Sequence, residues 1–202
     1  MAKYHHGNLR QEVLDCAIEM ITESGVEGLS LRKVAKELGV SHAAPGHHFK
    51  SKADLLAVIV RESYDLLTST MLEEVAQHPD ANGTQRLRMM GRTCMRWAVS
   101  NKARFSVMTN PDVSRFTEDA VRAALSEFVG VVAEAIGEAK EEGFYPQASV
   151  AVLLVYAIGA ANGIATVLTD DLMSAALGVD VGEEAFDQLA NLIVDTRDDT
   201  AG

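Results

Sequence analysis

The run from Leu29 to Leu56, LSLRKVAKELGVSHAAPGHHFKSKADLL, punctuates its helices so closely that few folds accommodate it. Leu31, Val34 and Leu38 return at helical spacing and put one face of a short helix, Leu31–Leu38, on a core. Ser30 stands where a hydroxyl caps that helix, and Ala35 is small enough for a second helix to cross closely. Gly39 supplies the positive φ that a sharp inter-helix turn needs, and Val40 plugs the corner. Ser41 then caps a second short helix, predicted over His42–Phe49. This is the helix-turn-helix plan, whose second helix enters the major groove of DNA.

The rest of the chain also reads as helix. Leu9, Val13, Leu14, Ala17, Ile18 and Ile21 form one stripe, ended at Ser24-Gly25 with the glycine suited to a left-handed C′ position. Ser51-Lys52-Ala53-Asp54 imitates a capping box and opens a longer helix carrying Leu55, Leu56, Ile59 and Leu66, predicted to reach about Val75. The segment His78–Thr84, HPDANGT, is the candidate linker between a small head and a body. Further helices are predicted at Gln85–Ser100, Ala103–Thr109, Thr117–Glu142, Gln147–Leu168 and Glu183–Thr196. The expected fold is all-α: a three-helix head over residues 1–52 and a helical body over residues 53–202.

Charge is divided along the same line. The whole chain carries a net −11, yet residues 1–61 hold eight basic and seven acidic side chains, and residues 62–202 hold ten and 22. Between Gly28 and Arg61 the balance is six basic to two acidic. A local basic surface on an acidic body permits nucleic-acid contact by the head, because salt confines each field to ~8 Å. Loose coating of DNA by the whole molecule is disfavoured.

Several classes of function find little support. Cys16 and Cys94 belong to no CxxC pair and read as two buried thiols in a reducing cytosol. Met1–Arg10 is polar, with no apolar core of a signal peptide, so a cytoplasmic location is expected. Ala148–Leu168 is uncharged over 21 residues, long enough to cross a bilayer. It lacks flanking basic anchors and carries Ser149, Asn162 and Thr166, so a helix buried in an interior or an oligomer interface is the reading taken. No GxSxG, Walker loop, HExxH or dinucleotide fingerprint occurs, and no enzyme activity, cofactor or metal is expected. Adjacent histidines such as His5-His6 and His47-His48 point in different directions on a helix, with no cysteine or carboxylate to complete a metal site.

On its motifs the N-terminal part resembles the DNA-binding domain of the TetR family of bacterial regulators. The resemblance covers about residues 4 to 60, YHHGNLR followed by AIEMITESGVEGLSLRKVAKELGVSHAAPGHHFKSKADLL. It is nearest the subset that opens with Tyr-His-His-Gly and carries Ser-His-Ala-Ala-Pro in its recognition helix. It implies a three-helix DNA-binding head, a fourth helix leading into an all-helical body, and dimerisation through the last two helices. It also implies repression of a roughly palindromic operator until a small molecule binds the body. Similar sequences place Tyr and then a long residue after Ala-Ala-Pro, where this chain has Gly46-His47. That removes an aromatic phosphate contact and loosens the helix. Arg96-Trp97 followed by Lys102–Met108 resembles the helix pair of a Trp-His-Gly type of C-terminal domain, with Ile158 and Asn162 in place of the Trp and His and Gly163 retained.

The candidate DNA-facing residues follow from motif and resemblance together. Arg32, Lys50 and Lys52 would take phosphates, and Lys3 on the N-terminal arm would reach the minor groove. Ser41, His42, Ala43, Ala44, Gly46, His47 and His48 lie on the segment that would meet base edges or backbone, alanine suiting a thymine methyl. A charge run standing alone would be a solvated face; its place around the motif raises the phosphate role. Met89, Met90, Arg96, Trp97, Asn101, Phe105, Met108, Phe116, Phe128, Tyr156 and Asn162 are the candidates to line an adaptable pocket for a small apolar effector, with ordinary core packing the competing reading for each. The rival to a regulator is a helical adaptor of the same fold that has lost strong DNA binding, followed by a helical enzyme using the body cavity.

Overall fold

A computed structural model describes residues 9–111, 113 and 119–194; Lys3, His5, His6 and Phe116 lie outside them. Among the described residues the ordered elements are helical, and they fall into two compact units, residues up to Ser63 with Asn101–Ala123, and Tyr64–Ser100 with Ala124 onward.

The first unit opens with α1, Leu9–Gly28, which buries Val13, Leu14, Ala17 and Ile21 and kinks at Gly25. There φ is +69° as expected for glycine, but ψ is 175°, so the chain swings out and makes one further turn instead of closing a left-handed cap. In α2, Leu31–Glu37, the Ser30 hydroxyl accepts from the Lys33 amide at 3.2 Å. Gly39 has φ +65°, and the Val40 amide donates to the Ala35 carbonyl at 3.0 Å, folding the corner back on the helix.

The next element departs from the sequence reading. His42–Phe49 is no α-helix; a turn at 42–44 leads into a single 3-10 turn, Pro45–His47, and the Ser41 side chain caps nothing there. Pro45 has no N–H for the Ser41 carbonyl four residues back, and Gly46 adds the poorest propensity after proline, so the nucleation cost of two turns is not recovered. The segment is pinned from beneath by Pro45 and Phe49, both buried. Helix α3, Lys52–Ala76, then starts at Ser51, whose hydroxyl accepts from the Asp54 amide at 3.1 Å and donates to its carboxylate at 2.8 Å. Helix α5, Lys102–Met108, packs on α1 within this unit and buries Phe105 and Val107.

The second unit is built on α4, Gly83–Ser100, which packs on α7, Val150–Thr169, and α9, Glu183–Val194. Residues 77–82 join α3 to α4 inside this unit, so HPDANGT is a helix connection and not a linker between bodies. Helix α4 begins two residues earlier than the sequence predicts: Asn82 caps it, its side-chain oxygen accepting from the Gln85 amide at 2.9 Å while the Gln85 side chain accepts from the Asn82 amide at 3.0 Å, and a distant carboxylate adds to this cap. Glu142, after α6 (Asp119–Glu141), accepts from the Gly83 amide at 2.6 Å, the Thr84 amide at 3.0 Å and the Thr84 hydroxyl at 2.8 Å. A Cβ at Gly83 would run into the backbone of Glu138 and Ala139, so glycine permits this approach. Helix α7 buries Leu153, Ala157, Ala161, Ala165 and Leu168 along one stripe. Helix α8, Asp171–Leu177, was not expected; the Asp170 carboxylate caps it through the Leu172 and Met173 amides, and Gly178 closes it at φ +65°.

Candidate DNA interface and body cavity

In the first unit, the buried pair Pro45 and Phe49 turns the rest of the segment outward. Ser41, His42, Ala43, Gly46, His47, His48 and Lys50 are exposed and Ala44 is half-buried. The Arg10 guanidinium lies 5.6 Å over the Phe49 ring and pairs with Glu62 at 3.6 Å, tying α1 and α3 to the base of the segment. Arg32 is exposed on the first turn of α2. Lys52 is differently placed: its ammonium donates to the Val26 carbonyl at 2.7 Å, part-buried, so it braces the turn after the α1 kink. Lys33 does the same for the Gly28 carbonyl at 2.9 Å. These two lysines hold the loop between α1 and α2, which leaves Arg32, Lys36 and Lys50 as the cations most open to a phosphate. A Cβ on Gly46 would meet no atom within 4 Å.

The second unit contains an apolar, partly open cavity of about 30 Å3. Met71, Leu87, Met90, Gly91 and Cys94 form one wall; Phe128, Val132, Ala157, Ile158, Ala161, Asn162 and Ile193 form the other. Three of the expected effector residues, Met90, Phe128 and Asn162, are therefore brought together. Asn101, Phe105 and Met108 belong to the first unit, Trp97 is buried off the wall, Met89 is off the wall, and Tyr156 is exposed on α7. Arg96 is committed elsewhere, donating to Glu74 at 3.0 Å and pairing with Glu183 at 3.6 Å. The Glu74 carboxylate also takes Arg92, which reaches Asp187 at 3.1 Å, so the two α4 arginines link Glu74 on α3 to the acids of α9. Met71, Gly91 and Cys94 were not among the expected residues. Leu87, Met90, Gly91 and Cys94 recur at helical spacing on one face of α4, but only the fold says that this face meets a void. Burial pushes the Cys94 thiol up to about 12, so the wall is uncharged at neutral pH. Behind Phe128, the Tyr64 ring packs at 5.6 Å, its hydroxyl pushed up by burial and then by Cys94.

Helix α7 carries a second feature. On the face opposite its buried stripe, Val152 (60% exposed), Val155 (77%) and Tyr156 are open, in line with Gly159 and Gly163. Leu192 on α9 is 71% exposed. By length and composition α7 is apolar enough to cross a membrane.

Residues 13–59 match the family of bacterial regulatory proteins of the tetR type, and residues 87–193 match the tetracyclin repressor-like C-terminal domain. The chain belongs to the TetR family. Among individual proteins, the HTH-type transcriptional regulator BetI of Klebsiella pneumoniae (strain 342) is 30% identical over 78 residues, 39% of this chain and 40% of that regulator. The alignments with other curated relatives cover as little as 31% of their length. A protein of unknown function from Rhodococcus sp. RHA1 has the same fold over 97% of this chain and 96% of its own, with TM-score 0.77 and 26% identity. AibR, solved with isovaleryl coenzyme A and operator DNA, shares the fold over 91% of this chain and 97% of its own, with TM-score 0.72 and 20% identity.

Proposed function

We propose that this chain is a DNA-binding transcriptional regulator, a cytoplasmic homodimer that holds a roughly palindromic operator and releases it when a small apolar effector occupies the body. The observation that carries the reading is the exposed segment His42–His48, raised on buried Pro45 and Phe49 behind a Gly39 turn. His42, Ala43, Ala44 and His47 are then the base-edge candidates, Ser41, Gly46 and His48 lie along the backbone, Arg32 and Lys50 take phosphates, and Lys3 reaches the minor groove. The Ser41–Pro45 run, SHAAP, supports the subset of the family named by that motif. Residues 1–52 serve as the reading head and 53–202 as effector and dimerisation domain, with regulation and not catalysis as the output. Dimerisation through α7 and α9 is supported by the open Val152, Val155 and Tyr156 face and by Gly159, where a Cβ meets no atom within 4 Å. Effector and operator are linked in the ordinary thermodynamic way: a ligand that favours the low-affinity state lowers operator affinity by the factor that DNA lowers its own.

The short 3-10 turn and Gly46 favour one second reading, an adaptor of the same fold with weak DNA binding. A gel shift against the DNA upstream of the protein's own gene, run across a salt series, separates the two. Saturable binding with log K falling steeply against log salt supports the regulator. Binding to that DNA no tighter than to random duplex sinks it.

A further inference from the structure

We propose that the body cavity accepts an uncharged, largely apolar molecule bearing one hydrogen-bonding group, which the Asn162 amide fixes, and that it rejects carboxylates and coenzyme A thioesters. The inference rests on the body being the effector site and names the chemical class that site takes. Among the described residues no charged side chain lines the cavity, and its thiol is held neutral. The one strongly polar wall group is Asn162, whose side-chain amide has no hydrogen-bond partner among the described residues. It offers both a donor and an acceptor to a ligand hydroxyl, carbonyl or amide. An anionic group would have to find a cation: on α4, Arg92 is engaged by Glu74 and Asp187 and Arg96 by Glu74 and Glu183, and Arg88 does not line the cavity. Residues 62–202, with 22 acidic and ten basic side chains, also repel an anion before it arrives.

The void is too small for a drug-sized ligand, so entry requires the walls to yield. Met71 and Met90 are the flexible walls, unbranched and able to repack. Gly91 marks where the room lies. It stands mid-helix, where glycine weakens α4, and a Cβ built on it meets no atom within 4 Å. Packing does not require this glycine, and room for a ligand is the role proposed for it.

Calorimetric titration of the free protein with 1-octanol, octanoate and octanoyl coenzyme A tests the class, with operator binding measured separately by gel shift. Saturable octanol binding is expected, with octanoate and the thioester at least about tenfold weaker because a carboxylate or phosphate would be buried unpaired. Asn162→Leu should weaken octanol about fivefold, the loss of one hydrogen bond. Gly91→Leu should abolish octanol binding while raising the unfolding temperature by about 2–4 °C, since leucine favours the helix and fills the void. Octanoate binding as tightly as octanol would overturn the proposal and point to Arg88, whose Nε is buried without a partner, as counter-ion. Undiminished octanol binding by Gly91→Leu, or none by the wild type, would overturn it as well. A protein that shifts its operator but takes no octanol leaves the regulator standing and removes this ligand class; one that takes octanol but shifts no operator does the reverse.

Discussion

The candidate DNA-facing residues are exposed side chains within Arg32–Lys50, held from beneath by Pro45 and Phe49. The cavity walls are instead half-buried and buried side chains from five helices, reaching from Met71 to Ile193. The first region is specified by neighbours in sequence: a cap at Ser30, a positive φ at Gly39, a helix broken by Pro45. The second is specified by which helix faces meet, and no short run of residues contains it. A motif therefore announces the first, whereas composition only hints at the second. The two regions should also fail differently. Changes in the head should move DNA affinity with little effect on stability, and changes in the body should move assembly and stability first.

The largest expected effect tests the body side of this contrast. Gly159→Trp puts a bulky ring on the open face of α7, where in one chain it has free space, so the isolated fold tolerates it. The variant should be monomeric or insoluble and lose operator binding that needs two half-sites. A normal dimer in analytical sedimentation places the interface away from α7.

Glu74→Ala comes next. It leaves Arg92 and Arg96 without their shared carboxylate and should cost about 2 kcal/mol, less than a fully buried pair because the arginines are a quarter to a third exposed. Denaturant melts read this directly, and an unchanged midpoint would mean that Asp187 and Glu183 suffice. The pH dependence has a definite sign. Burial raises the Glu74 carboxyl, but hydrogen bonds from Arg96 and Arg92 outweigh it and hold the group below its ordinary value. A depressed folded-state value gives stability that is present above the unfolded carboxyl range and lost as pH falls through the folded value. The stability gap between wild type and Glu74→Gln should therefore close as pH drops below about 4.

On the head side, Gly46→Tyr should tighten operator binding about fivefold, or ~1 kcal/mol, by restoring helix propensity and a hydroxyl for a phosphate. Gly46 is exposed and a Cβ there meets no atom within 4 Å, so a side chain can leave this position toward solvent. Weaker binding with an unchanged melting temperature would show that glycine serves close approach of backbone to DNA. The smallest effect is a slope. Lys50→Ala should reduce the salt dependence of log K by ~0.9 and weaken all sequences alike. A loss confined to one base position would make Lys50 a base reader. Lys52→Ala, by contrast, should act through stability, because its ammonium holds the Val26 carbonyl.

Local chemistry explains how much was legible. Ser30, Gly39 and the stripes of α1 and α2 behave as the residues dictate, since caps, turn geometry and amphipathic periodicity need no distant partner. The same local logic erred at His42–Phe49, where the motif's usual helix was given more weight than Pro45 and Gly46. In the body, Asn162 and Phe128 were found through polarity and aromaticity. Met89, Trp97 and Phe105 satisfied the same composition but point to other neighbours, because a side chain's type does not say which helix it meets.

The sequence by itself determined the all-helical class, the head's motif, the charge asymmetry and the apolar helix available to pack or pair. Those follow from periodicity and backbone preference within a few turns. Only the tertiary structure decided that Glu142 reinforces the start of α4 from 59 residues away, that α5 packs with the head, that Lys52 is a brace, and that Gly91 faces a void. Each of these depends on a meeting of surfaces far apart in the chain, whose energy comes from burial and long-range hydrogen bonds that no local window contains.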